Sequence, residues 1–484
     1  MLFQKIRDNL IFADFVADHI DILGLFTPLN VEEEMEKWLA SPGKKYCPQF
    51  VYDEPAITKA LNRAKKLRSA LPRIAEYYAE DSDWRALLTH DLLVSQYADI
   101  DATIALLRAF SKSGVIEHDC AETATNHLFG EVTKDEYNLA VKILYEPADI
   151  VLKEHLIGEN ERHLYSQAKL EAIIRDYLHD FKGIVTSDEL DALRNKDITK
   201  DQLDHVFEDV IRYVISNYTG EQKIYVRAFN VIMTDHFGIL PRPAMPFHYD
   251  IYKPNDLRKL HDGKLNASNL LEVIAHEINS HLRVMISTEM LTSRITQHFR
   301  YNLIMRNPCN LSQEGFAILN GESCFEEETA DMFEPLTIIL PDYVREGHNF
   351  SEAAQYMYDV CCIDPDMDHR PTHRVFWTIL QSFFGMKDTS AHVGYSFPYQ
   401  QIYTLGAFRT LKELTRIDKN YFEDPLSLMR YSELPLNMIR RINHIEHDLG
   451  HKLAPDPFEC WDFANPNPSI PTPTVYAKQL LLAL

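Results

Sequence analysis

The sequence predicts a mainly α-helical α+β fold, with a small mixed sheet beside a helix that carries His276, Glu277 and His281. Three observations predict it. Apolar residues recur at helical spacing over most of the chain, β-branched and aromatic runs are confined to about residues 207–252, and prolines cluster near the end.

Taken in order, "TPLNVEEEMEKWLA" places Asn30 before a helix with Glu33 three residues on, the sequence form of a capping box. Amphipathic stretches follow at about 56–78, 84–112, 134–146 and 161–181, so residues 1–200 read as a helical N-terminal region. "KIYVRAFNVIM" and "FHYDIY", separated by "LPRPAMP", read as short strands around a proline-rich loop, and "LTIILPDYV" is a second β-leaning patch. The chain then returns to helices until about residue 450. Residues 201–450 carry the chemistry-bearing motifs and are expected to form one compact body with the N-terminal helices. "PDPFECWDFANPNPSIPTPT" marks residues 451–484 as a proline-rich tail with no structure expected.

A chain of 484 residues can bury more than one core, so two or three subdomains are expected. Its start, "MLFQKIRDNLIFADFVADHI", has neither a basic n-region nor a continuous apolar run, and "YAKQLLLAL" is too short to span a bilayer. The expectation is a cytoplasmic protein without membrane attachment. The seven cysteines, Cys47, Cys120, Cys309, Cys324, Cys361, Cys362 and Cys460, show no paired spacing and read as reduced thiols. With 72 Asp+Glu against 49 Lys+Arg, a formal net charge of −23, the mean field repels polyanions, which argues against nucleic acid as a partner.

In "LLEVIAHEINSHLRVMI", Leu270, Ile274, Ile278 and Leu282 recur at every fourth position and predict a buried helical stripe, with Asn269 and Glu272 offering a cap. His276 and His281 therefore need their own reason. A glutamate and two histidines on one helix point to zinc, but the usual spacing is HExxH and this is HExxxH. On an α-helix, residues five apart lie ~140° apart and cannot share an ion. One π-type turn, with its i→i+5 bond, absorbs the extra residue and restores the common side. Asn279 and Ser280, both poor in helix interiors, mark where that distortion is expected.

Catalytic zinc takes three protein ligands and keeps a fourth position for water. The downstream candidates are Glu314 in "SQEGFAI" and the run "GESCFEEETADMF", with Glu322, Glu326, Glu327, Glu328 and Asp331. Spacing alone does not choose among them. A chain with 21 histidines also produces HExxxH by accident, so the motif needs a second signal.

That signal is a resemblance. "HEINSH" followed by "SQEGFAILNG" resembles the QEGLA-motif proteins, the group that modulates flavohaemoglobin expression and includes the microtubule-associated tyrosine carboxypeptidases. "DILGLFTPLNVEEEMEKWLASPGKKYCPQFVY" is similar to that family's N-terminal block, and "FPYQQIYTLGAF" to its FTKDxxYLxG segment, so the likeness covers about residues 10–440. It implies a zincin-like metallopeptidase core in which His276, His281 and Glu314 hold one Zn2+ and Glu277 activates water as general base. It implies a carboxypeptidase acting on a peptide or protein C-terminus. Gln313 and Gly315 would orient the ligand segment or make room for it.

The specificity segments depart from the family. Its FTKD lysine falls on Tyr399 and its aspartate on Gln400, while "RVFRG" becomes "RVFW", keeping Arg374 but placing Trp377 where a second arginine is expected. Tyr403 matches the family tyrosine, and Lys387 is a candidate replacement cation. A C-terminal carboxylate calls for a forked arginine or other hydrogen-bond donors, so Arg374, Tyr403, Tyr399 and Gln313 are the substrate-binding candidates. The acidic tubulin tail, possible by resemblance, is a poor electrostatic match to this charge. Dipeptidyl-peptidase III also combines HExxxH with a later glutamate, so an exopeptidase acting at the N-terminus is the alternative enzyme, and a non-catalytic regulatory protein with a retained zinc site the alternative outside catalysis.

Other motifs have simpler explanations. His444, His447 and His451 in "HIEHDLGH" share one helical face, but histidines in a last turn before Gly450 favour the helix dipole. "DPDMDH" opens like a calcium loop at Asp364, Asp366 and Asp368, yet His369 and Val375 replace its glycine and bidentate glutamate. Cys324 beside an acidic run lacks the electropositive setting of a nucleophile.

Overall fold

The computed structural model describes residues 30–40, 46–48, 50, 53–79, 83–111, 118–129, 185–217, 228–234, 238–241, 248–254, 265–295, 313–318, 340–341, 343–361, 373–384, 386, 388–390, 396–397, 401–414, 431, 434, 436–454 and 471–484. In chain order its named elements are α1 (Val31–Leu39), α2 (Glu54–Ala79), α3 (Trp84–Ser111), α4 (His118–Phe129), α5 (Ser187–Arg194) and α6 (Lys200–Asn217). Three strands follow, β1 (Ala228–Thr234), β2 (Gly238–Pro241) and β3 (His248–Pro254). Then come α7 (Ala267–Ile274), a π-helix (Ala275–Leu282) and α8 (Arg283–Ile295). The last are α9 (Phe350–Cys361), α10 (His373–Ser382), α11 (Gln401–Leu414), α12 (Leu436–Leu449) and α13 (Pro473–Ala483). The protein is mainly helical with a small sheet, and no described helix is long and apolar enough to cross a membrane.

The chain forms two compact units whose boundaries differ from the division expected at residues 200 and 450. Unit 1 takes Met1–Asn160, Asn302–Pro308 and Ala330–Thr404; unit 2 takes Glu161–Tyr301, Cys309–Thr329 and Leu405–Leu484.

In unit 1, Asn30 caps α1, its side chain accepting from the Glu33 N–H. The long helices α2 and α3 pack along one another because Ala60, Ala64, Leu67, Leu71 and Ile74 form a buried stripe facing apolar residues such as Leu88, Ile100 and Leu107. Arg68 of α2 grips Asp101 of α3, with Nη2 donating to Oδ2 at 3.0 Å. A separate aromatic core gathers Phe350 of α9 and Phe376 of α10 with ring centroids 5.6 Å apart, Phe350 and Phe383 at 5.5 Å, and Trp38 of α1 on Phe376 at 6.4 Å. The patch "LTIILPDYV" is not β where described: residues 340–341 and 343–345 are helical. Pro341 suits a first helical turn, and Gly347 takes the positive φ of 105° where the chain leaves.

In unit 2, β3 is central: β1 pairs with it in parallel and β2 antiparallel, giving the order β1-β3-β2. Tyr249, Ile251 and Lys253 alternate onto its buried face. There Tyr249 donates to Glu289 Oε2 of α8 at 2.9 Å, and Lys253 Nζ lies 2.8 Å from Asp204 Oδ1 of α6. β2 packs on the π-helix, so the sheet does lie beside the HExxxH helix. The texture from residue 207 to 217 belongs to α6, whose Leu203, Val206, Phe207, Val210 and Val214 form a buried helical stripe.

The C-terminal stretch corrects the expected tail. Thr472 accepts from the Val475 N–H and Pro473 occupies the first turn, so 473–483 is a capped helix. Tyr476 stacks on Tyr213 of α6 at 4.0 Å, Lys478 pairs with Glu189 of α5 at 3.0 Å, and Lys196 Nζ caps the Leu481 carbonyl at 3.0 Å.

Candidate metal centre

The helix that carries the motif starts one turn earlier than expected: Asn266, not Asn269, is the cap, accepting from the Asn269 N–H at 2.9 Å. Leu270, Ile274, Ile278 and Leu282 are fully buried, which fixes the face of the helix. Between α7 and α8 the backbone widens into the π-helix Ala275–Leu282, which spans both histidines. An i→i+5 bond places residues five apart one turn apart, so His276 and His281 come to the same side.

The two polar residues inside the widened turn are engaged. Ser280 Oγ donates to the Ala275 carbonyl five residues back at 3.3 Å. Asn279 Nδ2 donates to Thr474 Oγ1 on α13. Both residues are buried, and a buried polar group without such a partner would be costly.

The His276 and His281 rings stand at 72° with their Nε2 atoms 3.1 Å apart. Glu314, on a helical segment over residues 313–318, brings Oε2 to 3.6 Å from His276 Nε2 and 3.4 Å from His281 Nε2. Three ligand atoms around a tetrahedral zinc at ~2.0–2.1 Å are spaced by about 3.4 Å. The observed triangle has that size. Burial pushes the Glu314 carboxyl up, but the charge of His281 and the bonds and charge from both imidazoles outweigh it and hold the carboxyl far below the usual carboxylate range. Glu314 thus presents an ionised carboxylate to the two imidazoles.

Glu277 belongs to a looser set, its carboxylate lying with the His276 and His281 ring nitrogens inside 4.8 Å. It is buried, and among the described residues its Oε2 has no hydrogen-bond partner. Two imidazole nitrogens at hydrogen-bonding distance, the ionised Glu314 carboxylate and the second Glu277 carboxyl oxygen form a donor set that fits a divalent cation with a water beside it. Among the described residues His276, Glu277 and His281 are the group of three His, Cys, Asp or Glu side chains that could hold a metal; His444, His447 and His451 are exposed and do not form one.

Gly315 explains how Glu314 reaches the imidazoles. A Cβ at this position would lie 2.0 Å from the Gly406 carbonyl carbon and 2.5 Å from the Ala407 amide nitrogen of α11. Only glycine lets the two backbones approach that closely.

Gln313 is buried at the start of the same segment. Arg374 lies on α10 and Tyr403, half-buried, at the start of α11, both in unit 1. Tyr399, Gln400, Lys387, Cys324, the acidic residues 322–331 and the calcium-like turn at 364–369 lie outside the described residues. Sequence reasoning missed Thr474 and Gly406. The Thr472-Pro473 cap signature could have revealed α13, and Gly406 lies in "FPYQQIYTLGAF", a segment the sequence already singles out. Comparisons with known protein families, curated proteins and solved structures return no match for this chain.

Proposed function

We propose that the chain is a zinc-dependent metallopeptidase with a zincin-like core, acting as a carboxypeptidase on a peptide or protein C-terminus. The observation that carries this reading is the triangle of His276 Nε2, His281 Nε2 and Glu314 Oε2, with edges of 3.1, 3.4 and 3.6 Å, set beside the orphaned Glu277 Oε2. The choice of the C-terminus rests on the resemblance to the QEGLA-motif family.

His276, His281 and Glu314 would hold the ion. A bound zinc supplies Lewis acidity, polarising a scissile carbonyl and bringing the pKa of water toward neutrality. Glu277 Oε2 takes one proton from the attacking water while the hydroxyl adds to the carbonyl carbon. It returns that proton to the leaving nitrogen as the C–N bond breaks, so water is divided across the peptide bond. Burial of Glu277 excludes bulk water that would otherwise compete for its oxygen.

The test combines metal analysis with mass spectrometry of peptides incubated with wild type and Glu277→Gln. The expected result is one zinc in both proteins, shortening of peptides from the C-terminus by the wild type, and a rate about 10²–10⁴-fold lower in the variant. Shortening from the N-terminus, abolished by N-terminal blocking, would assign the dipeptidyl-peptidase alternative. Zinc in both with no hydrolysis by either would assign the non-catalytic one.

A further inference from the structure

We propose that Thr474 is a positioning residue for the candidate metal centre: its hydroxyl accepts the Asn279 amide and pins the π-turn between His276 and His281. The inference rests on the reading of His276, His281 and Glu314 as ligands, and it concerns what keeps that set assembled.

A π-turn carries one residue more than an α-turn, and nothing in the backbone alone fixes where along a helix the extra residue sits. Removing it altogether would rotate α8 by ~100° about its axis. Residues Arg283 through Leu291 are buried all round, so that rotation is blocked. Sliding the turn along the helix is not blocked in the same way. If it moved past His281, the histidines would return to α spacing, ~140° apart, and could no longer share an ion.

Asn279 lies inside the turn, between the two histidines, and its side chain leaves the helix to donate to Thr474 on α13. Both partners are buried, Thr474 completely. Sliding the turn would redirect Asn279 and leave its Nδ2, now bonded to Thr474, unsatisfied in a buried position, a penalty that favours the present register.

The acceptor is itself held. The first turn of α13 is fixed by the Thr472 cap, and Tyr213 donates to the Pro471 carbonyl at 2.5 Å just before it. Further along, Tyr476 stacks on Tyr213, and Lys478 sits 3.0 Å from both oxygens of Glu189. Ala477 and Leu481 are fully buried. Thus a helix some 190 residues downstream in sequence, anchored on α5 and α6, supplies one hydroxyl to the turn.

The experiment measures zinc affinity by chelator competition, and apo-protein melting, for the full-length wild type, Thr474→Val and Thr474→Ser. Valine keeps the shape and removes the acceptor; serine keeps the acceptor. The expected result is a zinc affinity about tenfold weaker for T474V, the size of one lost buried hydrogen bond, with wild-type affinity for T474S. Should T474V not fold, Thr474→Ala is read in the same way. A T474V or T474A protein that folds and binds zinc as the wild type does overturns the inference while leaving the metal reading intact. So does a T474S affinity as weak as that of T474V. A wild type that binds no zinc sinks the metal reading, and this inference with it.

Discussion

Replacing Gly315 by alanine tests whether the approach of two backbones sets the third ligand. The added methyl would sit 2.0 Å from the Gly406 carbonyl carbon and 2.1 Å from its oxygen, against an ordinary contact of 3.4 Å or more. Relief therefore needs about 1.4 Å of separation between the 313–318 segment and α11, and neither side offers a flexible side chain to give way. Glu314 is the neighbouring residue, and ligand distances at zinc tolerate only about 0.2 Å of error. We expect G315A to lose about 1–3 kcal/mol of apo-protein stability from overpacking. We also expect zinc affinity to fall about 100-fold as Glu314 withdraws. At free zinc 100 times the wild-type dissociation constant, binding stabilises the wild type by about 2.7 kcal/mol and would stabilise G315A by only ~0.4 kcal/mol. Calorimetry with and without zinc, and chelator competition, read both quantities. If G315A folds with the wild-type zinc affinity, the close approach does not position Glu314 and the reasoning fails.

Two further outcomes follow from the same structure. Glu189 is raised by burial but lowered further by its bonds from Thr186 and Lys478, so its carboxyl lies below the usual 4.5. A depressed carboxyl stabilises the fold above that usual value and loses the contribution as pH falls through its lower folded value. Lys478→Met should therefore melt earlier than wild type at pH 7, with the gap closing below pH 4.5; a gap independent of pH would show that the pair does not act through charge. The net charge of −23 opposes an acidic substrate, so a tubulin-tail peptide should be cleaved more slowly than a neutral peptide at physiological salt, and equal rates would contradict this.

The helices were legible where apolar residues recur at helical spacing or a cap marks the start. Asn30 with Glu33, and the stretches at 56–78 and 84–112, correspond to α1, α2 and α3 within two residues. The π-turn was legible for a different reason: spacing that an α-helix cannot reconcile, with Asn279 and Ser280 in the gap, leaves little else. α13 was legible only in its Thr472-Pro473 cap, because the flanking prolines mask a short apolar helix and what stabilises it is tertiary. Where it is described, "LTIILPDYV" is helical, and Pro341 there fits a first helical turn better than a strand interior. Unit boundaries were beyond reach, since each unit collects segments far apart in sequence.

Of the five consecutive buried residues from Glu277 to His281 in the π-helix, all but Ile278 are polar. A helix built only to pack would place apolar side chains here, gaining transfer energy and avoiding every desolvation cost. Instead the chain buries a carboxylate with an orphaned oxygen and spends a distant threonine and a close glycine contact on the same few ångströms. Local rules are broken together at one place, and the compensating contacts converge on it from α13 and α11. Functional sites are where such inconsistency persists, because the function requires groups that stability alone would remove. The concentration of these departures around His276, His281 and Glu314 is therefore an argument for a working site that does not depend on the spacing of the motif.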